Sequence, residues 1–221
     1  MPPDARLMYP ILYEDDWLIF VDKPPGVVVQ RGYDADEPVV LEGVASYLEA
    51  KGEQAILMQR LDRGTSGVLF FSKDPSINAK LTRQFERKRI VKEYLAIAEG
   101  KLGGAQWIDA PLGRIGPISF GVRDGGKRAV TRIEPLEAGE AGSLVRIRLL
   151  TGRTHQIRVH LAAIGHPLAG DWLYGERNAS RPMLHAKSLE MTHPATNETI
   201  TIEAAVPEDF LGEAKARGIA V

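Results

Sequence analysis

Asp62 has the residue type and the neighbours of a catalytic carboxylate. It stands between Arg60 and Arg63 in the segment 59–67, and an apolar run at 68–71 follows it. Nearby cations keep a carboxyl group ionised, and an ionised Asp can act as a covalent nucleophile or as a base. A turn with a surface ion pair accounts for the same pattern. The segment alone therefore leaves a catalytic and a structural role open.

The segment 151–160, with the sequence TGRTHQIRVH, is a second candidate for function. It lies in the stretch 141–170, which contains four Arg and three His but no acidic residue. It also opens a predicted helix, and the free N–H groups and dipole at a helix start favour phosphate binding. We therefore expect Arg153, His155 and Gln156 to contact the phosphates or sugars of a ligand.

Tyr94 and Arg158 are further candidates. Tyr94 closes the sequence Lys-Glu-Tyr at 92–94, which begins a predicted strand after the basic residues 87–89. A tyrosine there can stack on a base, or it can pack in the core. Arg158 lies one helical turn beyond His155 and is long enough to pair with a carboxylate from elsewhere in the chain.

Motifs for nucleotide and metal binding are incomplete. The segment 121–128, GVRDGGKR, is similar to a phosphate-binding P-loop, but Arg128 stands where that loop needs Ser or Thr for Mg²⁺. His155 and His160 are five residues apart, whereas side chains four apart share a helix face. The chain has no Cys. We therefore expect no metal, no cofactor and no thiol chemistry.

Charge is unevenly distributed along the 221 residues, although the net charge is −1. Residues 1–55 carry 4 basic and 11 acidic side chains, residues 56–175 carry 19 and 11, and residues 176–221 carry 5 and 7. A centre with a net charge of +8 suits a polyanionic ligand such as nucleic acid. A solvated charged face gives the same count.

The sequence favours a cytoplasmic protein that does not enter a membrane. No stretch approaches the roughly 20 apolar residues of a membrane span. Residues 1–6 lack the basic end and apolar core of a signal peptide. Without Cys the chain forms no disulfides.

Hydrophobic patterning predicts more strands than helices. Strands are predicted at 17–21, 68–71, 94–98, 144–149, 183–190 and 199–204, and helices at 38–51, 74–89 and 154–164. Strands in runs rather than in strict alternation with helices indicate an α+β fold, with a mixed, mostly antiparallel central sheet and flanking helices and loops. The segment 113–128 predicts a long loop or a hairpin. No Pro/Ser-rich linker divides the chain, so we expect one domain over residues 1–221, with its core at about 10–210.

Together these segments resemble the RluA family of RNA pseudouridine synthases. The matching motifs are, in chain order, KPPG (23–26), RLD with TSG (60–67), KEY (92–94), TGRTHQIRVH (151–160), GHPLAGD (165–171) and LHA (184–186). The resemblance covers residues from about 10 to about 210. Gln59 departs from the family pattern, which usually has His there. The chain also lacks room for the S4-like RNA-binding domain of many relatives, so it resembles the compact members that consist of a catalytic domain.

The resemblance implies that uridine in RNA is isomerised to pseudouridine, without metal or cofactor. Asp62 is then the essential carboxylate, and attack at C1′, addition at C6 and other roles stay open. Tyr94 resembles the tyrosine that stacks on the base, and Arg158 the arginine that pairs with the catalytic Asp. Leu184 resembles the apolar floor of the uracil pocket, and Arg60 a residue that fills the gap left by a flipped nucleotide.

The expected partner is structured RNA, a stem-loop of tRNA or ribosomal RNA, bound by a monomer. Two alternatives belong to other functional classes. One is a non-catalytic RNA-binding module on the same fold, and the other is a hydrolase that releases the free base. Loss of pseudouridine formation on changing Asp62 would distinguish the synthase from the binding module.

Overall fold

The structure, a computed structural model, describes residues 7–32 and 37–220. The expectation about a signal peptide rests on residues 1–6, which lie outside the described residues. The described chain forms two compact units. Unit 1 contains the residues up to Val91 together with Ala186–Ala205, and unit 2 contains Lys92–His185 together with the residues from Val206 onward. The expectation of a single catalytic domain stays a prediction.

Twelve strands and four α-helices are present in the described residues. The strands are β1 (Ile11–Glu14), β2 (Leu18–Lys23), β3 (Ile56–Leu57), β4 (Ser66–Ser72), β5 (Val91–Glu99), β6 (Gln106–Asp109), β7 (Leu112–Arg114), β8 (Phe120–Val122), β9 (Val130–Ala138), β10 (Gly142–Leu149), β11 (Leu184–Thr192) and β12 (Thr199–Glu203). The helices are α1 (Val40–Glu49), α2 (Asn78–Glu86), α3 (Gln156–Ala163) and α4 (Glu208–Ala216), and a short 3-10 helix at Pro75–Ile77 precedes α2. The predicted α+β class is confirmed.

The strands of unit 1 run in the order β1-β2-β4-β11, with β3 also beside β4 and β12 beside β11. β2 and β4 pair antiparallel from Leu18 opposite Ser72 to Lys23 opposite Gly67. β4 is buried along its whole length, as its apolar run predicted. The apolar core of unit 1 includes Phe20 and Phe70, whose rings stack with centroids 4.9 Å apart.

The helices of unit 1 follow their sequence signals closely. α1 turns Val40, Val44 and Leu48 into the core, as their helical spacing predicted. Asp74 caps the next helical segment, because its carboxylate accepts a hydrogen bond of 2.8 Å from the Ser76 N–H. That segment begins as a 3-10 turn, and α2 ends at Glu86, three residues before the predicted end.

The strands of unit 2 run in the order β5-β10-β9-β6, with antiparallel pairing throughout. Ile97 and Leu144 on one face pack against Phe210 and Ala214 of α4. The alternation of residues along β10 predicted a basic face, and Arg146 and Arg148 form it. The segment predicted as a loop or hairpin contains the two-stranded ribbon β7-β8.

Several elements lacked a clear sequence signal, namely β1, β3, β6, β9 and α4. β9 carries Pro135, which argues against a strand interior because proline donates no hydrogen bond to a ladder. β6 pairs with β9 only at residues 130–133, so Pro135 lies where β9 has a single neighbour. Within the described part of the chain, no helix has the length and apolar character needed to cross a membrane.

Candidate active site

Asp62 lies on a turn that leads directly into β4. The Thr65 N–H donates to the Asp62 carbonyl oxygen at 3.0 Å, which closes the turn. Thr65 and Ser66 are buried, whereas Asp62 is half-buried. The turn therefore holds the carboxylate at the end of a buried strand, where a rigid scaffold supports it.

Lys23, at the end of β2, ties this turn to the segment that follows β2. Its fully buried ammonium donates to the carbonyl oxygens of Pro24 (2.9 Å), Val27 (2.7 Å) and Arg63 (3.1 Å). The Gly26 N–H also donates to the Arg63 carbonyl, at 2.9 Å, and the Arg63 Nε donates back to the Gly26 carbonyl, at 3.0 Å. In the sequence, Lys23 stands out only as part of the KPPG motif. The sequence signal for the burial of Lys23 is its place at the end of an apolar strand.

Gln59 holds the other end of the turn. Its Nε2 donates to the Val68 carbonyl oxygen of β4 at 3.2 Å. Gln59 therefore supplies a neutral donor at the position where the chain departs from the family pattern.

Gly67 allows a close approach between β4 and β11. Its φ is +106°, and a Cβ at this position would lie 2.2 Å from the Ala186 carbonyl oxygen. No side chain fits there. The glycine of the TSG motif is thus required by backbone packing immediately after the Asp62 turn.

Tyr94 lies on the buried face of β5, opposite Ile147 of β10. Its neighbour Glu93 faces the other way and pairs with Arg146 (3.2 Å) and Arg148 (3.1 Å). The alternation of the strand thus separates an internal aromatic ring from an external charge cluster. The predicted contact between Tyr94 and a base stays a prediction.

Arg158 forms a bidentate ion pair with Asp171. Arg158 Nε and Nη2 each lie 2.7 Å from an Asp171 carboxylate oxygen, and both side chains are buried. The Arg158 guanidinium carbon lies 5.0 Å from the centre of the Tyr174 ring. The length of the Arg158 side chain predicts a pair with a carboxylate from elsewhere in the chain, and Asp171 is such a partner. The predicted pairing of Arg158 with Asp62 stays a prediction.

His155 precedes α3 in the left-handed conformation, with φ 54° and ψ 20°. Its Nδ1 lies 2.7 Å from the Tyr174 hydroxyl oxygen, which also accepts a hydrogen bond of 2.9 Å from the Phe120 N–H of β8. A non-glycine residue in this conformation is held by its surroundings. Tyr174 therefore joins the start of α3 to the β7-β8 ribbon. Arg153, two residues earlier, is exposed.

Gln156 is buried at the first position of α3, with both ends of its amide engaged. Its Oε1 accepts from the Thr151 hydroxyl (2.8 Å) and the Arg153 N–H (3.0 Å). Its Nε2 donates to the Val130 carbonyl oxygen (3.0 Å) and to Thr131 Oγ1 (2.9 Å). These bonds hold the turn 151–156 against β9, and a contact between Gln156 and RNA stays a prediction.

His160 is likewise internal. Its two ring nitrogens lie 2.8 Å from Thr131 Oγ1 and 3.1 Å from the Ala110 carbonyl oxygen. Burial lowers the pKa of His160, which favours the neutral ring. The His160 side chain therefore has a structural role, since both of its ring nitrogens contact internal groups.

Leu184 is buried at the start of β11, and Arg60 is exposed beside Asp62. The Leu184 carbonyl oxygen accepts a hydrogen bond of 3.2 Å from Arg181 Nη1. Arg181 in turn pairs with Asp209 of α4 at 2.6 Å. Arg181 has no local sequence signal, because its carboxylate partner lies 28 residues further along the chain.

The chain is similar to known proteins in sequence and in fold. The family described as RNA pseudouridylate synthase matches residues 17–163. The chain is 40% identical to an uncharacterized RNA pseudouridine synthase, YhcT, of Bacillus subtilis, and the match covers 90% of this chain and 69% of that protein. It is 38% identical to ribosomal large subunit pseudouridine synthase D of Nitrosomonas europaea, over 90% of this chain and 62% of that protein. The chain thus spans about two thirds of the length of these curated relatives.

Two solved human structures share the fold. RNA pseudouridylate synthase domain containing 1 superposes with a TM-score of 0.77 at 27% identity, over 100% of this chain and 92% of that one. RNA pseudouridylate synthase domain containing 4 superposes with a TM-score of 0.79 at 23% identity, over 96% and 94%. The chain therefore belongs to the RNA pseudouridine synthases, a family of isomerases that act on RNA. The resemblance to RluA-type enzymes is confirmed.

Proposed function

We propose that this chain converts one or more uridines of structured RNA to pseudouridine by means of Asp62 and without a cofactor. The observation that carries the proposal is the turn around Asp62, which Lys23 and Gln59 hold at its two sides. A pre-organised group needs little reorganisation during a reaction. The N1–C1′ and C5–H bonds break, and C5–C1′ and N1–H bonds form, so substrate and product have the same mass.

Each remaining site residue has a proposed role around the target nucleotide. Tyr94 stacks on the uracil, and Leu184 forms the apolar floor beneath it. Arg158 supplies the positive charge that favours the ionised form of the catalytic carboxylate. Arg60 fills the gap that the target nucleotide leaves when it flips out of its stack.

The turn 151–156 is our proposed contact to phosphates or sugars of the RNA. Arg153 is exposed at this turn, and His155 is half-buried. Gln156 contributes by holding the turn through its buried amide. The positive net charge of residues 56–175 supports RNA binding by the same chain that performs the reaction.

The proposed partner is a stem-loop of ribosomal RNA or tRNA. Relatives named for the ribosomal large subunit make its RNA the first substrate to test. We propose that residues of about 10–210 act as one catalytic domain, as a monomer and in the cytoplasm, where such RNA is found.

Pseudouridine mapping of RNA tests the proposal. Unmodified ribosomal RNA and tRNA transcripts are incubated with the purified chain, and pseudouridine is mapped at each position. The proposal predicts new pseudouridine at defined sites and no change in RNA mass. Asp16→Asn is a matched control for Asp62→Asn, because Asp16 is an exposed carboxylate in the same unit as Asp62 and has no proposed role.

Each alternative gives a different result. Tight RNA binding without pseudouridine at any position, in either RNA class, would favour the non-catalytic binding module. Free uracil together with abasic sites would favour the hydrolase. Either result would overturn the proposed reaction.

A further inference from the structure

Arg181 is a buried arginine outside the motifs that the proposed mechanism uses. Its guanidinium forms a bidentate pair with Asp209 near the start of α4, with Nε to Oδ2 at 2.6 Å and Nη2 to Oδ1 at 3.0 Å. Hydrogen bonding to Arg181 is the main cause that lowers the pKa of the Asp209 carboxyl group. The pair is therefore ionised and well oriented.

The third arm of the guanidinium reaches the backbone at the start of β11. Arg181 Nη1 donates to the carbonyl oxygens of Pro182 (3.3 Å) and Leu184 (3.2 Å). One planar fork thus joins a carboxylate on α4 to the carbonyl of the residue proposed as the floor of the uracil pocket. A lysine ammonium does not reproduce this planar geometry.

The backbone of Arg181 also supports the segment that carries Asp171. Gly170 has φ +74°, and a Cβ there would lie 2.1 Å from the Arg181 carbonyl oxygen. The Met183 N–H donates to the Ala169 carbonyl oxygen at 2.9 Å. The two segments therefore lie in direct contact, and Asp171 follows Gly170 immediately.

We propose that Arg181 is a positioning residue that, fixed by Asp209, holds Leu184 and the Asp171 segment in the arrangement needed for the reaction. Arg181 also fixes Arg158 indirectly, because the Asp171 carboxylate orients the Arg158 guanidinium. This inference rests on the proposed function for the roles of Leu184 and Arg158. It gives α4 a part in catalysis although α4 carries no proposed substrate contact.

α4 has other anchors, so the Arg181–Asp209 pair is not needed merely to keep the helix in place. Phe210 and Ala214 are fully buried. Just after the C-terminal end of α4, Arg217 pairs with Glu99 at 2.8 Å and donates to the Ala141 carbonyl oxygen at 3.1 Å. Arg217 is a matched control, since it is another buried arginine that joins the α4 region to a carboxylate and a carbonyl in the same unit.

The experiment compares Arg181→Lys with Arg217→Lys in the full chain. Three quantities are measured: Tm, the Kd for substrate RNA, and the single-turnover rate of pseudouridine formation at saturating enzyme. We expect Arg181→Lys to lower the rate by roughly 10-fold or more, with a Kd within about twofold of the parent value. The two variants should lower Tm by similar amounts. Arg217→Lys should nevertheless leave the rate within about twofold of the parent value.

Amide hydrogen exchange separates this inference from the proposed function. Arg181→Lys should speed exchange in the segments 168–174 and 182–186, and Arg217→Lys should not. If the parent chain forms no pseudouridine on any RNA, the proposed function fails while the exchange result still tests the positioning role. Unchanged exchange in both segments overturns the inference. The inference is also overturned if both variants lose activity in the same proportion to their loss of Tm.

Discussion

Arg158 and Asp171 form a buried pair in which two parallel hydrogen bonds of 2.7 Å join the guanidinium to the carboxylate. Asp171 Oδ1 also lies 3.2 and 3.3 Å from the N–H groups of Leu173 and Tyr174. The arginine that the family resemblance links to catalysis is thus oriented by a second carboxylate, 13 residues further along the chain. Asp171 therefore orients Arg158.

Asp171→Ala should be among the most damaging single changes in unit 2. Removal of one partner leaves the Arg158 guanidinium buried without this carboxylate, at a cost of about 3–5 kcal/mol. Asp171→Asn keeps the shape and should lose less stability, but its neutral amide no longer fixes Arg158. Urea denaturation checks the free energy of unfolding, and single-turnover kinetics check the rate. A rate for Asp171→Asn equal to that of the parent chain would contradict the positioning role.

Lys23→Met should slow the reaction by loosening the turn around Asp62. The change leaves the carbonyl oxygens of Pro24, Val27 and Arg63 without the Lys23 donor, and one unsatisfied buried group costs about 1–3 kcal/mol. We expect a lower free energy of unfolding and a reaction rate lower by at least about 10-fold.

Lys73→Met is the control for Lys23→Met. Lys73 is also a buried lysine in unit 1, but it pairs with Glu14 and Glu53 and donates to the Asp15 carbonyl oxygen. It should lose stability yet retain the single-turnover rate of its folded fraction. Equal rate losses in the two variants would show that the Lys23 effect is one of general stability.

His160 should make the protein less stable in mild acid. Its pKa is lowered by burial from the ordinary value of 6.5. The unfolded chain therefore takes up a proton at this residue at a higher pH than the folded chain does. The resulting contribution to stability is complete above about pH 6.5 and declines as the pH falls below it.

His160→Gln removes this titration while retaining a donor and an acceptor. Urea denaturation at about pH 7.5 and about pH 5.5 measures the loss of stability in each chain. We expect a smaller loss for His160→Gln than for the parent. An equal loss in the two chains would assign the acid sensitivity to other groups.

Arg153→Gln should weaken RNA binding through the loss of one phosphate contact. Exposed cations that bind phosphates release counterions, so the logarithm of affinity falls linearly with the logarithm of salt concentration. The variant should reduce the magnitude of that slope by about 1. Lys215→Gln, an exposed cation of α4 in the acidic C-terminal flank, should leave the slope unchanged. Equal slopes for Arg153→Gln and the parent would remove Arg153 from the RNA contact.

Local patterning was sufficient for much of the fold. Buried runs predicted β2 and β4, and the helical spacing of Val40, Val44 and Leu48 predicted α1. β9 was missed because Pro135 is tolerated only where that strand lacks a second neighbour. α4 was missed because Gly212 weakens its helical signal and no side chain caps its start.

The sequence motifs predict candidate site residues but not the interactions that hold those residues in place. The motifs that resemble the family include Asp62, Tyr94 and Arg158, so these residues could be selected from the sequence. The motifs did not select the Asp171 and Arg181 interactions, which depend on how distant segments meet. Gln156 illustrates the opposite difficulty, since a polar residue in a basic segment is equally suited to RNA and to an internal hydrogen-bond network.

We propose that Asp62 performs the isomerisation, and the decisive experiment is single-turnover pseudouridine formation by Asp62→Asn. Asn conserves the shape of the side chain and removes its charge, so RNA binding and Tm should stay close to those of the parent chain. We expect no detectable pseudouridine with Asp62→Asn and the parent rate with Asp16→Asn. Pseudouridine formation by Asp62→Asn at the parent rate would show that Asp62 is not the essential carboxylate.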